Sequence, residues 1–169
     1  AGIYGTRATY IAGCSGTSNV LAGKMFDIPV LGTHAHSWIM SFESEYEAFK
    51  TYAEIYPGNC TLLVDTYSTL RSGVPNAIKV FNEMKANGMD MSKCGIRIDS
   101  GDLAYLTKRA RTMLDEAGLT EVKISASGEL DENLISSLKD QGAQIDAWGV
   151  GTRMITADDN PSFGGVYKL

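Results

Sequence analysis

Apolar and polar positions recur along the chain in one rhythm: a short apolar run, a polar or glycine-rich cluster, then a stretch with helical spacing. IPVLGT (28–33), CTLLVDTY (60–67), CGIRIDSGD (94–102), VKISASGE (122–129) and IDAWGVGTR (145–153) read as strands. Short apolar runs bounded by turn residues suit strands buried on both faces. RATYIAG (7–13) is also apolar and β-prone, and joins them as a sixth. The stretches between predict helices. VLAGKMFD is a short one, with Ser18 or Thr17 as its cap. FESEYEAFKTYAEIY places apolar or aromatic side chains at 42, 46, 49, 52 and 55–56, and Pro57-Gly58 stops it. NAIKVFNEMKANG (76–88) follows Pro75 and ends on Gly88, LAYLTKRARTMLDEAG (103–118) ends on Gly118, and Asp131 caps ENLISSLKDQG. The chain ends FGGVYKL (163–169), which reads as a fresh strand.

Strands alternating with helices over short loops imply a parallel sheet. In such sheets ligand sites gather where the strands end. Here those ends carry SGTS, GTHAHS, DTY, DSGD, SASGE and GVGT, with Arg97 inside its strand. Acids, hydroxyls and glycines in that arrangement suit a phosphorylated, hydroxylated ligand. The pattern predicts an α/β fold, most of a TIM-barrel-like (β/α) barrel rather than a flat doubly wound sheet. No Gly-x-Gly-x-x-Gly opens the first helix, which argues against a dinucleotide fold. No linker divides the chain, so residues 1–169 read as a single α/β-barrel domain. The absent initiator Met and the strand-like end lead us to expect a segment of a longer protein.

Composition narrows the field. Hydrophobic residues make up 44% of the 169, enough for a packed core. A formal net charge of −5 argues against a general nucleic-acid binder. No apolar run reaches membrane-spanning length and no charged, apolar leader is present, so a cytoplasmic protein is expected. Three widely spaced cysteines, Cys14, Cys60 and Cys94, suit reduced thiols rather than a disulfide frame or a zinc site. Glu43, Glu45 and Glu47 read as a solvated helix face, as do Lys108, Arg109 and Arg111; Met84, Met113 and Met154 read as core.

The only two histidines, His34 and His36, sit two apart in GTHAHSW. On a strand they would share a face and could form a metal pair. Such sites need further ligands, and no third histidine exists. One reactive histidine beside a bystander, or two packed histidines, are the other readings. Arg97 and Asp99 also lie two apart; a guanidinium fork can grip a carboxylate or phosphate, and an aspartate can accept from sugar hydroxyls or hold a metal. A structural ion pair explains them equally well. GVGTR (149–153) could offer backbone N–H groups and the Thr152 hydroxyl to an anion, or be a tight turn.

Taken together and in order, SGTSNVLAGKMF, IPVLGTHAHSW, LLVDTYSTLRSGVPNAI, IRIDSGDL, GVGTRM and PSFGGVYKL closely resemble nicotinate phosphoribosyltransferases. The resemblance implies the barrel of type II phosphoribosyltransferases, here without the family's N-terminal domain and C-terminal part. It implies formation of nicotinate mononucleotide and pyrophosphate from nicotinate and phosphoribosyl pyrophosphate, in NAD salvage. It implies coupled ATP hydrolysis through a phosphohistidine, Mg²⁺ accompanying ATP and phosphoribosyl pyrophosphate, and a homodimer. His36 matches the phosphorylated histidine, while His34 falls at a variable position of that motif. Thr33 matches a residue beside the nicotinate, Arg97 the arginine on its carboxylate, and Thr152, with Gly151 beside it, a contact to the phosphoribosyl group. Asp99 and Asp65 are candidates for sugar hydroxyls or the metal's water shell, and Ser127 and Gly128 for further substrate contacts. Ser18 stands where the related nicotinamide enzyme has an aspartate; without that repulsion the acid is the expected substrate. The family's N-terminal part supplies an aromatic partner for the ring, often across the dimer, so the isolated segment is expected to be inactive. Two rival readings remain: a metal-dependent barrel hydrolase built on His34 and His36, and a non-catalytic ligand-binding module.

Overall fold

The structure, a computed structural model, describes residues 1–156, which form two compact units. The first comprises residues 1–32, 129–131 and 150–156 of the described chain; the second comprises 33–128 and 132–149.

In the first unit, α1 (Gly2–Ile11) packs on α2 (Val20–Phe26), with the rings of Tyr4 and Phe26 6.0 Å apart. α1 contains most of RATYIAG, which was expected to be a strand. Its β-branched residues are accommodated by back-bonding: the Thr6 hydroxyl donates to the Gly2 carbonyl at 2.8 Å and the Thr9 hydroxyl to Thr6 at 2.9 Å. Local β-propensity is thereby overruled by hydrogen bonding and by packing against α2. The expected strand at 28–33 is reduced to one parallel bridge, Val30 to Thr17. The cap of α2 is Asn19, whose side chain accepts from the Ala22 N–H at 3.0 Å; Thr17 accepts from the Asn19 N–H instead. A four-residue helix, Thr152–Ile155, ends the described chain, and Met154, expected in a core, is 40% exposed. The proposed strand in PSFGGVYKL lies outside the described residues.

The second unit is built on a four-stranded, all-parallel sheet in the order β1 (Thr61–Leu63), β2 (Gly95–Ile98), β3 (Lys123–Ala126), β4 (Ala147–Trp148). Leu62, Leu63, Val64, Ile96, Ile98, Ile124 and Ala126 are all buried, as the apolar runs require of a sheet covered on both faces. Five helices accompany it: α3 (His36–Met40), α4 (Glu45–Ile55), α5 (Val74–Ala86), α6 (Leu103–Glu116) and α7 (Glu132–Asp140). α4 is capped by Ser44 and α6 by Asp102, each accepting from a backbone N–H three residues on. α5 carries Pro75 at its start, and Gly88 and Gly118 follow α5 and α6 with positive φ, as expected. Phe49 on α4 and Phe81 on α5 are fully buried; each contributes about 2–3 kcal/mol.

Two charged residues expected on solvated faces are not there. Glu45 is 5% exposed, and its Oε2 accepts from Asn76 Nδ2 at 3.0 Å and from the Ser72 hydroxyl. It ties the start of α4 to the π-helical turn Thr69–Gly73 that leads into α5. Arg111 spends its guanidinium on the carbonyls of Val122 and Leu119, at 2.7 and 2.9 Å, and so secures the loop between α6 and β3. Periodicity alone does not show such tertiary partners.

The π-helical turn presses on the end of β1 at Gly73. A Cβ there would stand 1.8 Å from the Val64 carbonyl oxygen, so only glycine permits the approach. Gly73→Ala is expected to lower the unfolding free energy of the full-length protein by about 3 kcal/mol or more, because the backbone at β1 must move. Denaturant midpoints measure this.

Candidate active site

The strands of the second unit end in one direction, so the clusters that follow them converge. Asp65 comes just after β1, Asp99 and Ser100 just after β2, and Ser127 just after β3. The loop 33–36 brings Thr33 and His36 to the same place, with His36 opening α3.

Arg97 lies on β2 with its side chain 28% exposed, and organises the group. Its Nε donates to Ser127 Oγ at 2.7 Å, Nη1 to Thr33 Oγ1 at 2.8 Å, and Nη2 to Asp99 Oδ1 at 2.7 Å. Ser127 in turn donates to Asp99 Oδ1, closing a triangle. A guanidinium has five N–H bonds. These contacts use one on each nitrogen, leaving two unengaged among the described residues. Burial works against the Asp99 charge, but the Ser127 and Arg97 hydrogen bonds and the Arg97 charge outweigh it, holding the carboxyl below its ordinary range. Gly128 follows with φ +113°, and a Cβ there would meet the Asp99 carbonyl at 2.9 Å. The SASGE turn therefore needs its glycine to reach β2.

Asp65 couples the two strand ends. Its side chain is 1% exposed, and Oδ2 accepts from the Asp99 N–H at 2.9 Å and the Ser100 hydroxyl at 2.6 Å. Its buried Oδ1 has no hydrogen-bond partner among the described residues and lies 3.9 Å from His36 Nε2. Asp99 Oδ2 is 3.7 Å from that same nitrogen. The other ring nitrogen, Nδ1, stands 3.1 Å from the Thr66 hydroxyl. His36 turns Nε2 towards both carboxylates, and its side chain, 40% exposed, remains open to a ligand.

His34 differs in every respect. It is 8% exposed, its ring meets Tyr52 edge-on at 4.6 Å between centroids, and its Nε2 accepts from the Leu63 N–H at 3.2 Å. Accepting there fixes the neutral ring with its proton on Nδ1. Desolvation by burial pushes its pKa down to about 4, with the Arg97 and His36 charges adding to the fall and the Ala35 carbonyl opposing it. The two histidines therefore do not form a metal pair through these nitrogens. Among the described residues, no group of three or more His, Cys, Asp or Glu side chains could hold a metal ion.

The structure thus brings together Thr33, His36, Asp65, Arg97, Asp99, Ser127 and Gly128. Ser18, Gly151 and Thr152 belong to the first unit, where Ser18 is exposed, Gly151 caps the last described helix and Thr152 begins it. Sequence reasoning missed Thr66 and Ser100 as individual residues. Their signal was adjacency: each follows an aspartate in a strand-end cluster.

Residues 10–162 match the model of the nicotinate phosphoribosyltransferase (NAPRTase) family. A nicotinate phosphoribosyltransferase of Bacillus subtilis is 59% identical over 169 residues, covering 100% of this chain and 34% of the relative. One from Mycobacterium tuberculosis is 46% identical over 163 residues, covering 96% of this chain and 34% of its own. The chain thus spans about a third of the length of the curated relatives it matches. Among solved structures, human nicotinic acid phosphoribosyltransferase superposes with a TM-score of 0.79 at 27% identity, covering 86% of this chain and 39% of that one. A nicotinate-nucleotide pyrophosphorylase from Pyrococcus furiosus does so with 0.73 at 28%, covering 88% and 37%. The parallel α/β architecture matches type II phosphoribosyltransferase structures and is a part of that fold.

The depressed His34 pKa links this site to stability. The unfolded chain takes up the proton near the ordinary value of 6.5 and the folded chain only near 4, so acid favours unfolding. The full-length protein is expected to keep this contribution above pH 6.5 and lose about 3 kcal/mol of it as pH falls towards 4. His34→Phe should lack that part of the slope, and denaturant midpoints across the range compare the two.

Proposed function

The chain belongs to the nicotinate phosphoribosyltransferase family, and we propose that it serves the transfer of a phosphoribosyl group from phosphoribosyl pyrophosphate to nicotinate. The products are nicotinate mononucleotide and pyrophosphate, and the role is NAD salvage in the cytoplasm. The observation that carries this reading is the convergence of His36 with Asp65, Asp99 and Arg97 where β1 and β2 end.

The geometry of the second unit supports a task for Arg97, Thr33, Asp99, Asp65 and His36, and the sequence resemblance implies one for the others. The two unengaged Arg97 N–H bonds suit a planar carboxylate, which nicotinate has and nicotinamide lacks. Thr33, held by Arg97, lies beside that ring. Ser18 leaves no carboxylate to repel the acid. Ser127 and Gly128 meet the phosphoribosyl group, and Asp99 meets its hydroxyls; for Gly151 and Thr152 a phosphoribosyl contact is what the sequence resemblance implies.

ATP hydrolysis is coupled through His36. Two carboxylates near Nε2 favour the ring proton there, so the Nδ1 lone pair accepts the Thr66 hydroxyl at rest and becomes the nucleophile when that hydroxyl turns aside for the incoming phosphate. The Nδ1–phosphorus bond forms as the bond to the departing ADP oxygen breaks, and Asp65 and Asp99 stabilise the cationic ring that results. The phosphate adds negative charge and acceptor oxygens beside the substrates, and its later hydrolysis drives the transfer forward. The buried, unpartnered Asp65 Oδ1 and the Asp99 carboxylate fit Mg²⁺ that arrives with ATP and phosphoribosyl pyrophosphate, the remaining ligands being phosphates and water. When bound, the metal neutralises phosphate charge. The active protein is a homodimer, whose other subunit supplies the aromatic partner of the ring; the 169-residue segment alone is inactive.

Incubation of the full-length protein with ATP and Mg²⁺, followed by intact-mass measurement, tests the coupling. One acid-labile phosphate is expected, absent from His36→Ala. Folded, ATP-binding protein that gains no phosphate would overturn the coupled mechanism.

A further inference from the structure

β1 is an edge strand among the described residues, and one of its backbone donors is left over. The Val64 N–H donates to the Arg97 carbonyl at 3.0 Å and the Gly95 N–H to the Cys60 carbonyl at 2.9 Å. Alternate residues of the strand therefore face β2, and the Leu63 N–H points away from it. Leu63 is 1% exposed, so water does not serve that donor. A buried backbone N–H demands an acceptor. The acceptor is the His34 ring, through Nε2 at 3.2 Å.

We infer that His34 is the positioning residue for His36: its imidazole takes the place of a neighbouring strand's carbonyl and pins the loop 33–36 to β1. Two rungs then join the same two segments. His34 bonds Leu63, and two residues on, His36 Nδ1 meets the Thr66 hydroxyl at 3.1 Å. Thr33 adds a third tie, to Arg97 on β2. The ring packs on Tyr52 and Phe49, with centroids at 4.6 and 6.1 Å, and is 8% exposed, so turning it away disturbs the core. A side chain that fills the space but accepts nothing would strand the Leu63 N–H and release the loop. That loop sets where the His36 ring stands between Asp65 and Asp99.

The kinetic part of this inference rests on His36 as the reactive group; the hydrogen-bond part does not. The test compares full-length wild type, His34→Phe, which fills the site without an acceptor, and His34→Gln, whose amide oxygen reaches a similar point. In His34→Phe the Leu63 amide should exchange with solvent about tenfold faster or more. Nucleotide formation should drop in kcat by up to about 10²-fold, with the nicotinate KM nearly unchanged, because Arg97 keeps its own contacts. His34→Gln should restore both. Equal amide exchange and kcat in wild type and His34→Phe would overturn the inference, as would loss in Phe that Gln does not rescue. Should His34→Phe fail to fold, nitrogen NMR of the wild type decides. An unprotonated His34 Nε2 with scalar coupling to the Leu63 amide nitrogen is expected, and a proton on that Nε2 at neutral pH would overturn it. If wild type makes no nucleotide, the functional reading fails while amide exchange and coupling still judge the clamp.

Discussion

The Arg97 guanidinium donates to oxygens on three segments that are far apart in sequence: Thr33 before α3, Asp99 at the end of its own strand, and Ser127 after β3. A planar fork holds its partners in one plane, so each of the three segments is placed relative to the others. A lysine could supply the charge but not these directions. Asp99 is kept ionised within that frame, and His36 is presented to it by the loop that Thr33 anchors. The arrangement is preorganised: most of its hydrogen bonds are already made, and what remains is two of the five guanidinium N–H bonds, unengaged among the described residues, and a His36 ring that is 40% exposed.

Asp65 is the complement of Arg97. A carboxylate with a side chain 1% exposed is costly unless it is well bonded. Its Oδ2 is, to the Asp99 N–H and the Ser100 hydroxyl, and those bonds lock the ends of β1 and β2 together. Its Oδ1 is left facing His36. Each acid thus divides its two oxygens: Oδ1 of Asp99 serves Arg97 and Ser127, while its Oδ2 faces the imidazole.

Much of this was legible in the sequence, and for physical reasons. Strands at 60–67, 94–102 and 122–129 show as apolar runs because both faces are buried, and their polar ends show because a parallel sheet directs them to one rim. The helices over 42–56, 76–88 and 103–118 show through their spacing and their terminal glycines. What stayed hidden depends on partners distant in sequence. Most of RATYIAG is helical because α1 packs on α2, with the Thr9 hydroxyl bonding back to the Thr6 carbonyl. Glu45 is buried because Ser72 and Asn76 await it. His34 looked like a bystander because no pattern in GTHAHSW reveals the Leu63 N–H opposite its ring.

In the function proposed above, Arg97 is both the keystone of the site and the grip on a carboxylate. Calorimetric titration of the full-length protein with nicotinate and with nicotinamide, in wild type and Arg97→Lys, tests both halves at once. The expected result is nicotinate binding weakened by about tenfold or more in the variant, with discrimination against nicotinamide reduced. Unchanged nicotinate affinity and unchanged discrimination in a folded Arg97→Lys protein would mean that Arg97 does not grip the carboxylate.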